Sequence, residues 1–489
     1  MSERLAFGYG TSGHSGSAPS PDKSARAGAP QPFTPAVPAE VSRRAALLDK
    51  PDGAFIGLMI FTAVLFFRPQ DQIPGLHRLH LAELSAIGAL IAMALGRLSR
   101  GLTISRITPE LCGVVMMGGV IVGLVPFSIW PRGSLSTFMD LYSKIILIFM
   151  LMVNTLTSRK RIEQFIWLIV VASGYIALRA VIDAARGINL VEDDRVKGAI
   201  GGMFRNPNDL ALNMVAVMPL AATLALRGIA IWRRAGAALC TLLMIGAVIA
   251  SKSRSGTIGL VAMTSILALY LLRRKPGAVG AGVLALLLAL PMVPASYWHR
   301  LSSITDETQD QTGSREARRI LLRESFTAFI DHPLTGVGAG QFRNYDPEGR
   351  EQPWRESHNI LLQVGAELGI MGLSTLLFLI FRAGIASTRT KRLLRRARGV
   401  GRRPSANSPP PLVTPAEAAW FQEHAAAMSA ALAGWFCCAL FASVAYNWTF
   451  YYLLALATTP QGILEERLAP LRRAKAVREP VSLYQGAQA

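Results

Sequence analysis

The chain has 489 residues, of which 51% are hydrophobic and 17% are charged, and its formal net charge at pH 7 is +20. A soluble globular protein usually carries more charge than this, so the composition argues against an ordinary soluble domain. The basic residues form short clusters between apolar runs, which favours membrane lipids rather than nucleic acid as partners of the positive charge.

Residues 1–50 precede the first apolar run and are rich in Ser, Pro, Ala and Gly. They lack the apolar core of a signal peptide, and their composition is typical of a disordered tail. Arg43 and Arg44 stand just before the first run, which predicts that this tail is cytoplasmic.

Apolar runs that are long enough to cross a bilayer as helices recur along the rest of the chain. We predict an all-α fold, a polytopic transmembrane helical bundle of about twelve spans. Nine spans fall in residues 51–295 and three in residues 358–465. The predicted spans are residues 53–67, 80–96, 109–130, 138–156, 163–181, 208–226, 235–251, 255–272, 277–295, 358–381, 426–445 and 447–461.

The distribution of Lys and Arg predicts the orientation of these spans. With the N-terminus inside, every dense basic cluster falls on the inner side, including residues 382–403, which hold nine basic residues and no acidic ones. Residues 382–425 are therefore predicted to be a basic cytoplasmic loop, and residues 466–489 a cytoplasmic tail. The long polar segment 296–357 falls on the outer side, which in a bacterium is the periplasm.

The periplasmic loop 296–357 contains the sequence "GSREARRILLRESFTAFIDHPLTGVGAGQF". Its first part predicts an amphipathic helix from Ser314 to Ile330, with an apolar stripe and a basic face that includes Arg315. The following "DHP" ends the helix, and "GVGAG" permits a tight turn.

Several ionisable residues lie at or inside apolar runs on the outer side, namely Arg179, Arg205, Arg254 and His358. Such residues are costly in a membrane and are usually paired or functional. Arginine presents a planar fork of donors that matches phosphate oxygens, and histidine can take a proton from a hydroxyl. Together they predict transfer from a lipid diphosphate, in which a metal is not required.

Each of these residues also has a purely structural explanation. Arg179 and Arg205 could extend to the lipid headgroups, and His358 with Asn359 could simply cap a helix. Glu367, about two turns into the same helix, could pair with a buried arginine for stability. The functional alternative is that Asn359 and Glu367 orient the site residues without contacting the substrate. The four cysteines lie in apolar stretches without metal-ligand spacing, so we expect no metal and no cofactor.

The segment "REARRILLRESFTAFIDHPLTGVGAGQF", followed by "SHNILLQVGAELGIMGL", resembles the O-antigen ligase and Wzy-type polymerase superfamily. The segments "SKSRSG" and "GMFRNPNDLA" are similar to two further segments of that superfamily. The resemblance covers about residues 195–375, and its combination of motifs is specific.

The resemblance implies a GT-C-like helical bundle that carries out an inverting, metal-independent glycosyl transfer. The donor would be a polyprenyl-diphosphate-linked glycan, and the acceptor a lipid A core sugar or another glycan. His358 matches the catalytic base, and Arg254 matches an arginine that binds the diphosphate. Arg179 is a possible second such arginine, while Arg205 and Arg315 match recurrent arginines of less certain role.

The sequence leaves alternatives open within and beyond this family. A ligase and a Wzy-type polymerase of lipid-linked repeat units need the same donor site, so the residues do not separate them. A polysaccharide or solute transporter, or a non-catalytic assembly partner, are further alternatives, although the chain shows no internal repeat of the kind that transporters usually carry. In every case we expect a multi-pass protein of the bacterial inner membrane.

Overall fold

The structure, a computed structural model, describes residues 52–302, 314–399 and 412–478, apart from residues 74, 192, 193, 200, 202, 203 and 353. The predicted disordered tail, residues 1–50, lies outside this part of the chain. A short antiparallel hairpin joins β1 (Leu190–Val191) to β2 (Arg195–Val196), and the rest of the regular structure is helical. The helices are α1 (Gly53–Phe67), α2 (Pro69–Gln72), α3 (Leu81–Leu98), α4 (Pro109–Gly123), α5 (Pro131–Thr137), α6 (Ser143–Thr155), α7 (Arg159–Arg186), α8 (Pro207–Ala225), α9 (Ile231–Ala250), α10 (Arg254–Leu272), α11 (Pro276–Ala289), α12 (Ala295–Ser302), α13 (Ser314–Asp331), α14 (Ile360–Gly399), α15 (Pro415–Ala439) and α16 (Trp448–Arg478).

The chain is an all-α polytopic membrane protein. In the described ranges, eight helical stretches are long and apolar enough to cross a bilayer, and two shorter apolar helices begin at Pro109 and Pro276. Each of the twelve predicted spans overlaps a helix, but the spans 109–130 and 426–445 extend beyond α4 and α15, and α15 and α16 are not among the eight apolar stretches. Twelve crossings therefore stay a prediction.

Local sequence explains where the helices near the site begin. Asn206 caps α8 by accepting a hydrogen bond from the Asn208 backbone N–H, and Pro207 follows at the first helical position. Ser253 caps α10 in the same manner through Gly256. Each cap satisfies a backbone donor that the first helical turn leaves without a partner.

Helix α15 lies at the centre of the core and packs against α8, α10, α14 and α16. Its side chains Trp420 and Trp435 are fully buried, and the Trp435 ring stacks on Phe450 of α16 with ring centroids 4.7 Å apart. Because protein rather than lipid surrounds α15, it can carry polar residues such as the buried His424.

Both ends of the predicted cytoplasmic loop 382–425 are helical, and its cytoplasmic position stays a prediction. Helix α14 continues to Gly399, since the Arg, Lys, Leu and Ala residues of this stretch favour helix. Helix α15 already begins at Pro415, where Thr414 and Glu417 form a capping box. The predicted tail 466–489 is likewise helical as far as Arg478.

Ion pairs join the helices at one end of the bundle, which we call the basic end. It is the end at which α7 and α15 begin and α8 ends. Arg227 contacts both Glu163 and Glu423 at 3.2 and 3.0 Å, and Arg382 lies within 2.9 Å of Glu110. Further pairs here are Arg161–Asp52, Arg389–Glu465 and Arg467–Glu417. The opposite end, at which α8, α10 and α14 begin and α1 and α15 end, is called the site end below.

Candidate active site

The loop before α14 joins the first turns of that helix through backbone hydrogen bonds. The Val337 N–H donates to the Ala366 carbonyl at 2.8 Å, and the Gly338 N–H donates to the Glu367 carbonyl at 2.9 Å. Helix α14 can accept these bonds because it is broken at Gly369, which has φ 58° and ψ −158°. The glycine run of the loop and Gly369 of the helix thus together allow the loop to pack against α14 through backbone hydrogen bonds.

The break also redirects a donor of the helix. The Ile370 N–H, which would normally bond to the Ala366 carbonyl, donates instead to Pro333 of the loop at 2.8 Å. Every backbone group in this exchange keeps a partner, which is the condition for irregular backbone at membrane depth.

The glycine turn must approach its neighbours closely. Gly338 has φ +109°, and a Cβ atom at this position would lie 1.9 Å from Ser128 Oγ. The next turn residue, Gly340, donates its N–H to the buried carboxylate of Glu367 at 2.8 Å, and the same carboxylate accepts the Tyr446 hydroxyl at 2.8 Å. Among the described residues Glu367 forms no ion pair, so the arginine partner considered from sequence is wrong, and Glu367 joins the glycine turn to the segment after α15.

Asn359 caps α14 and fixes its start against α15. Its Oδ1 accepts the N–H groups of Leu361 and Leu362 at 2.9 and 3.1 Å, while its Nδ2 donates to the Leu440 carbonyl at 3.0 Å. The capping role that the sequence suggested for Asn359 is confirmed, and the cap also orients the preceding residue, His358.

His358 lies directly before the cap in an unusual conformation. Its φ is +51°, and its backbone N–H donates to Ser443 Oγ at 2.9 Å. Residues held in this region of backbone space are uncommon and often occur at functional sites. The imidazole makes no hydrogen bond to the part of the chain that the structure describes, so no structural partner there holds its ring nitrogens.

Burial, together with the nearby guanidinium groups of Arg318 and Arg355, lowers the pKa of His358 from 6.5 to about 4. The free imidazole is therefore neutral near pH 7, as a proton acceptor must be. Arg318 comes from α13, so the amphipathic helix of the loop lies close enough to His358 to act on its charge.

Arg254 is the first residue of α10 and is held by a turn rich in serine. Ser253 Oγ bonds to Asn208 Oδ1 at 2.8 Å, which connects the start of α10 to the start of α8. Arg195 of β2 donates to the same Asn208 oxygen at 2.7 Å and to the Ser251 carbonyl at 3.2 Å. The turn from Ser251 to Arg254 therefore has a fixed position and carries several basic groups.

The end of α15 brings the Arg254 turn and the His358 turn together. Cys438 Sγ donates to the carbonyl of Ser255, next to Arg254, at 3.3 Å. Two residues later, Leu440 accepts the bond from Asn359. Since a helix rises 1.5 Å per residue, these contacts are about 3 Å apart along the α15 axis. Arg254 and His358 thus belong to the same end of the bundle.

The other predicted arginines differ from Arg254 in their surroundings. Arg179 is half-buried in α7, one to two turns before its end, and its Nη1 lies 3.4 Å from the Tyr175 hydroxyl. Arg205 is exposed just before α8. The side chain of Arg315 lies outside the described part of the structure. None of these observations joins them to His358, and their role stays a prediction.

A polar cavity of about 420 Å³ lies beside the His358 turn. It is bounded by Ser357 and Ser443, which flank His358, and by the starts of α8 and α14. Its charged and aromatic lining residues are Arg68, Asp209, Phe342, Arg343, Glu356, Glu367, Tyr446 and Trp448.

A second cavity of about 510 Å³ lies beside the Arg254 turn and is mostly apolar. Side chains of α9, including Leu242, Ile245 and Ile249, form one wall, and Val293 with Tyr297 forms another. Lys252 and Asp194 supply the charges. We call this cavity the apolar groove.

In the described ranges, no three His, Cys, Asp or Glu side chains are grouped so that they could hold a metal ion. The expectation that the reaction needs no metal stays a prediction.

One known protein family matches a segment of the chain that contains part of this site. Residues 239–377 match the O-antigen ligase family. This segment of the chain belongs to that family. No curated protein sequence matches the chain.

The O-antigen ligase segment contains the Arg254 turn, α13, the glycine turn, and the start of α14 with His358 and Asn359. The resemblance drawn from "SKSRSG" and "SHNILL" is therefore confirmed at the level of the family. Arg179 and Arg205 lie before the O-antigen ligase segment.

Sequence reasoning missed several residues of the site. Arg195, Asp209 and Glu356 lie in polar loops or at a helix start, where their charge looked like an ordinary solvated surface. Arg318 lies on the predicted loop helix, but nothing in its spacing indicated that this helix approaches His358. The available signal for Asp209 was its position in "NPNDLA", directly at the start of an apolar run.

Proposed function

We propose that this protein transfers a glycan from a polyprenyl diphosphate carrier to a sugar hydroxyl, as an O-antigen ligase-type glycosyltransferase of the bacterial inner membrane. The match of residues 239–377 supports a role in polysaccharide biosynthesis. The proposal goes further in naming the donor, the reaction and the residues.

The observation that carries the proposal is the meeting of two turns at the end of α15. One turn carries Arg254, and the other carries His358 with an imidazole that makes no hydrogen bond within the described part of the chain. A guanidinium group and a neutral imidazole at the same end of a membrane bundle are the two groups that a lipid diphosphate transfer requires.

The apolar groove supports the choice of a lipid-linked donor. Its walls suit an isoprenoid chain, and Lys252, two residues before Arg254, lines it together with Asp194, so the diphosphate of such a lipid would lie beside the Arg254 turn. The guanidinium of Arg254 would accept the negative charge that develops on the leaving diphosphate.

In the proposed reaction, His358 removes the proton from the acceptor hydroxyl while the hydroxyl oxygen attacks the anomeric carbon of the donor glycan. The new carbon–oxygen bond forms as the bond from that carbon to the diphosphate oxygen breaks, with inversion, and the electron pair leaves with the diphosphate. The negative charge of the donor diphosphate beside His358 would raise the pKa of the imidazole above the value of about 4 in the free protein. The imidazole would therefore be a stronger base when the donor is bound.

The test uses the full chain in lipid nanodiscs with an undecaprenyl-diphosphate-linked glycan and a lipid A core acceptor. His358→Asn should reduce the rate at least about 100-fold, since a general base typically contributes that much or more. Asn also tolerates a positive φ, so this variant should keep its fold. The exposed His299 of α12 provides the matched control, and His299→Asn should remain active.

Arg254→Lys should also lose most of its activity, because lysine keeps the charge but lacks the planar fork. Arg273→Lys, at the other end of α10, is its control. Normal transfer by both His358→Asn and Arg254→Lys would remove these residues from the mechanism.

The same assay separates ligase from polymerase. A ligase transfers the glycan to the lipid A core sugar, whereas a Wzy-type polymerase produces a ladder of longer lipid-linked glycans when donor alone is supplied. We propose that the site end faces the periplasm, because the basic clusters lie at the opposite end. A cysteine introduced at the exposed Glu351 should then react with a membrane-impermeant thiol reagent in intact spheroplasts.

A further inference from the structure

The polar cavity beside His358 has a lining that differs in charge from the Arg254 turn. Two carboxylates, Asp209 from the start of α8 and Glu356 from the loop before α14, border the same space. Asp209 forms no hydrogen bond or ion pair through its carboxylate with any described residue. Arg68, which also borders the cavity, is already paired with Asp71 at 2.6 Å.

Two amide side chains supply hydrogen-bond donors to the same space. Gln363 is only 7% exposed, and its Oε1 accepts the Ala445 N–H at 3.1 Å. Asn447 uses its Oδ1 to accept hydrogen bonds from Thr449 at 3.0 and 3.1 Å. Within the described part of the chain, the amide nitrogens of Gln363 and Asn447 make no hydrogen bond, although both residues border the cavity.

These amide nitrogens are therefore donors that a polar ligand in the cavity can use. The ligand must accept hydrogen bonds from amide nitrogens and donate hydrogen bonds to carboxylates. A sugar with adjacent hydroxyl groups does both, and the indole of Trp448 offers an apolar face for its ring. The volume of about 420 Å³ falls within the range of about 300–1,000 Å³ that is usual for small-molecule sites.

The charges argue against a diphosphate in this cavity. Asp209 and Glu356 act on each other electrostatically, and burial raises the pKa of Glu356, with Arg343 opposing that shift. A diphosphate would bring further negative charge against these carboxylates, while a neutral or amino sugar would not.

The cavity also has the correct position for an attacking hydroxyl. Ser443 borders it and accepts the backbone N–H of His358 at 2.9 Å, and Ser357, the neighbour of His358, borders it as well. A sugar in this space would therefore place its hydroxyl groups beside the His358 turn.

We propose that this cavity binds the acceptor, as a neutral or amino sugar whose hydroxyl or amino groups donate to Asp209 and Glu356 and accept from Gln363 and Asn447. The inference rests on the proposed glycosyl transfer. It divides the site into a basic donor side at Arg254 and a carboxylate-lined acceptor side, with His358 between them.

The experiment measures the KM values for donor and acceptor separately, using the full chain in nanodiscs. Asp209→Asn and Glu356→Gln should each raise the acceptor KM about tenfold or more, because each replaces the charged acceptor of a hydrogen bond by a neutral amide oxygen, which holds the donor more weakly. The donor KM should change less than about twofold. Asp331→Asn, an exposed carboxylate at the end of α13, should leave both values unchanged.

A second arm changes the acceptor. An acceptor that carries a carboxylate next to the attacked hydroxyl should be a poor substrate for the wild type and a better one for the double variant Asp209→Asn/Glu356→Gln. This gain cannot arise from a merely misfolded site, so it protects the conclusion from loss of stability in the variants.

The outcomes distinguish the inference from the proposed function. If the wild type transfers no glycan to either acceptor, the proposed function fails. If the wild type is active but the two substitutions raise the donor KM instead, or leave the acceptor KM unchanged, the acceptor site is wrong while the transfer reaction stands.

Discussion

Replacing Gly338 by alanine tests the docking of the glycine turn. The new Cβ would lie 1.9 Å from Ser128 Oγ, whereas ordinary contacts begin at 3.4 Å, so the turn must move by about 1.5 Å. Ser128 is buried and cannot swing away freely. The movement should break the bonds from Ser128 Oγ and the Ile129 N–H to the Val337 carbonyl, and the bond from the Gly338 N–H to the Glu367 carbonyl.

Three lost hydrogen bonds destabilise by about 3 kcal/mol, at about 1 kcal/mol each. The positive φ of residue 338 adds about 1–2 kcal/mol once a side chain is present. We therefore expect Gly338→Ala to lose about 4–5 kcal/mol of the free energy of unfolding.

Gly349→Ala is the matched control for this substitution. Gly349 lies in the same loop with φ +82°, but a Cβ there would have no atom within 4 Å. The Gly349→Ala variant should lose only the contribution of the positive φ, about 1–2 kcal/mol of the free energy of unfolding. Thermal unfolding and glycan transfer would be compared for both variants in the same nanodiscs, and equal losses would refute the docking argument.

Three further predictions concern the loop and the start of α14. Asn359→Ala should destabilise by about 2 kcal/mol, about half from the lost cap and half from the orphaned Leu440 carbonyl, whereas Asn359→Ser should restore the cap part in thermal unfolding. Arg350→Met should destabilise the protein by about 3–5 kcal/mol, because it leaves Glu324 without its buried partner at 3.2 Å. The control Arg323→Met, at an exposed position, should change the unfolding temperature little. Similar shifts for the two variants would contradict a stabilising role of the buried pair of Arg350 and Glu324. The pKa of His358 is lowered from 6.5 to about 4, so the stability that its neutral form contributes is present above pH 6.5 and is lost as pH falls towards 4. The unfolding temperature of the wild type should therefore fall more than that of His358→Asn between pH 7 and pH 4. Parallel curves for the two proteins would show that His358 does not titrate in this manner.

The sequence predicted local features well, because these depend on neighbouring residues. Hydropathy located the helices, and the cap residue Asn359 and the amphipathic helix that begins at Ser314 were correct. The length of α14 was missed because a hydropathy window ends where charge begins, although Arg and Lys continue a helix well.

Contacts between distant parts of the chain were not predictable in the same way. An arginine partner was one of two alternatives for Glu367, but its carboxylate accepts hydrogen bonds from Gly340 and Tyr446, which lie on two other segments. Asp209 and Glu356 border one cavity although 147 positions separate them, since 356 − 209 = 147. Such partners are set by how the helices pack, and no periodic pattern along one helix encodes them.

The break in α14 has a consequence for how the protein is assembled during synthesis. The carbonyls of Ala366 and Glu367 receive their hydrogen bonds from Val337 and Gly338, which are synthesised before them. Helix α14 therefore completes its backbone hydrogen bonds only when the preceding loop has folded against it. A chain whose loop is deleted should leave these two carbonyls without those partners, which makes the truncated protein a substrate for membrane quality-control proteases.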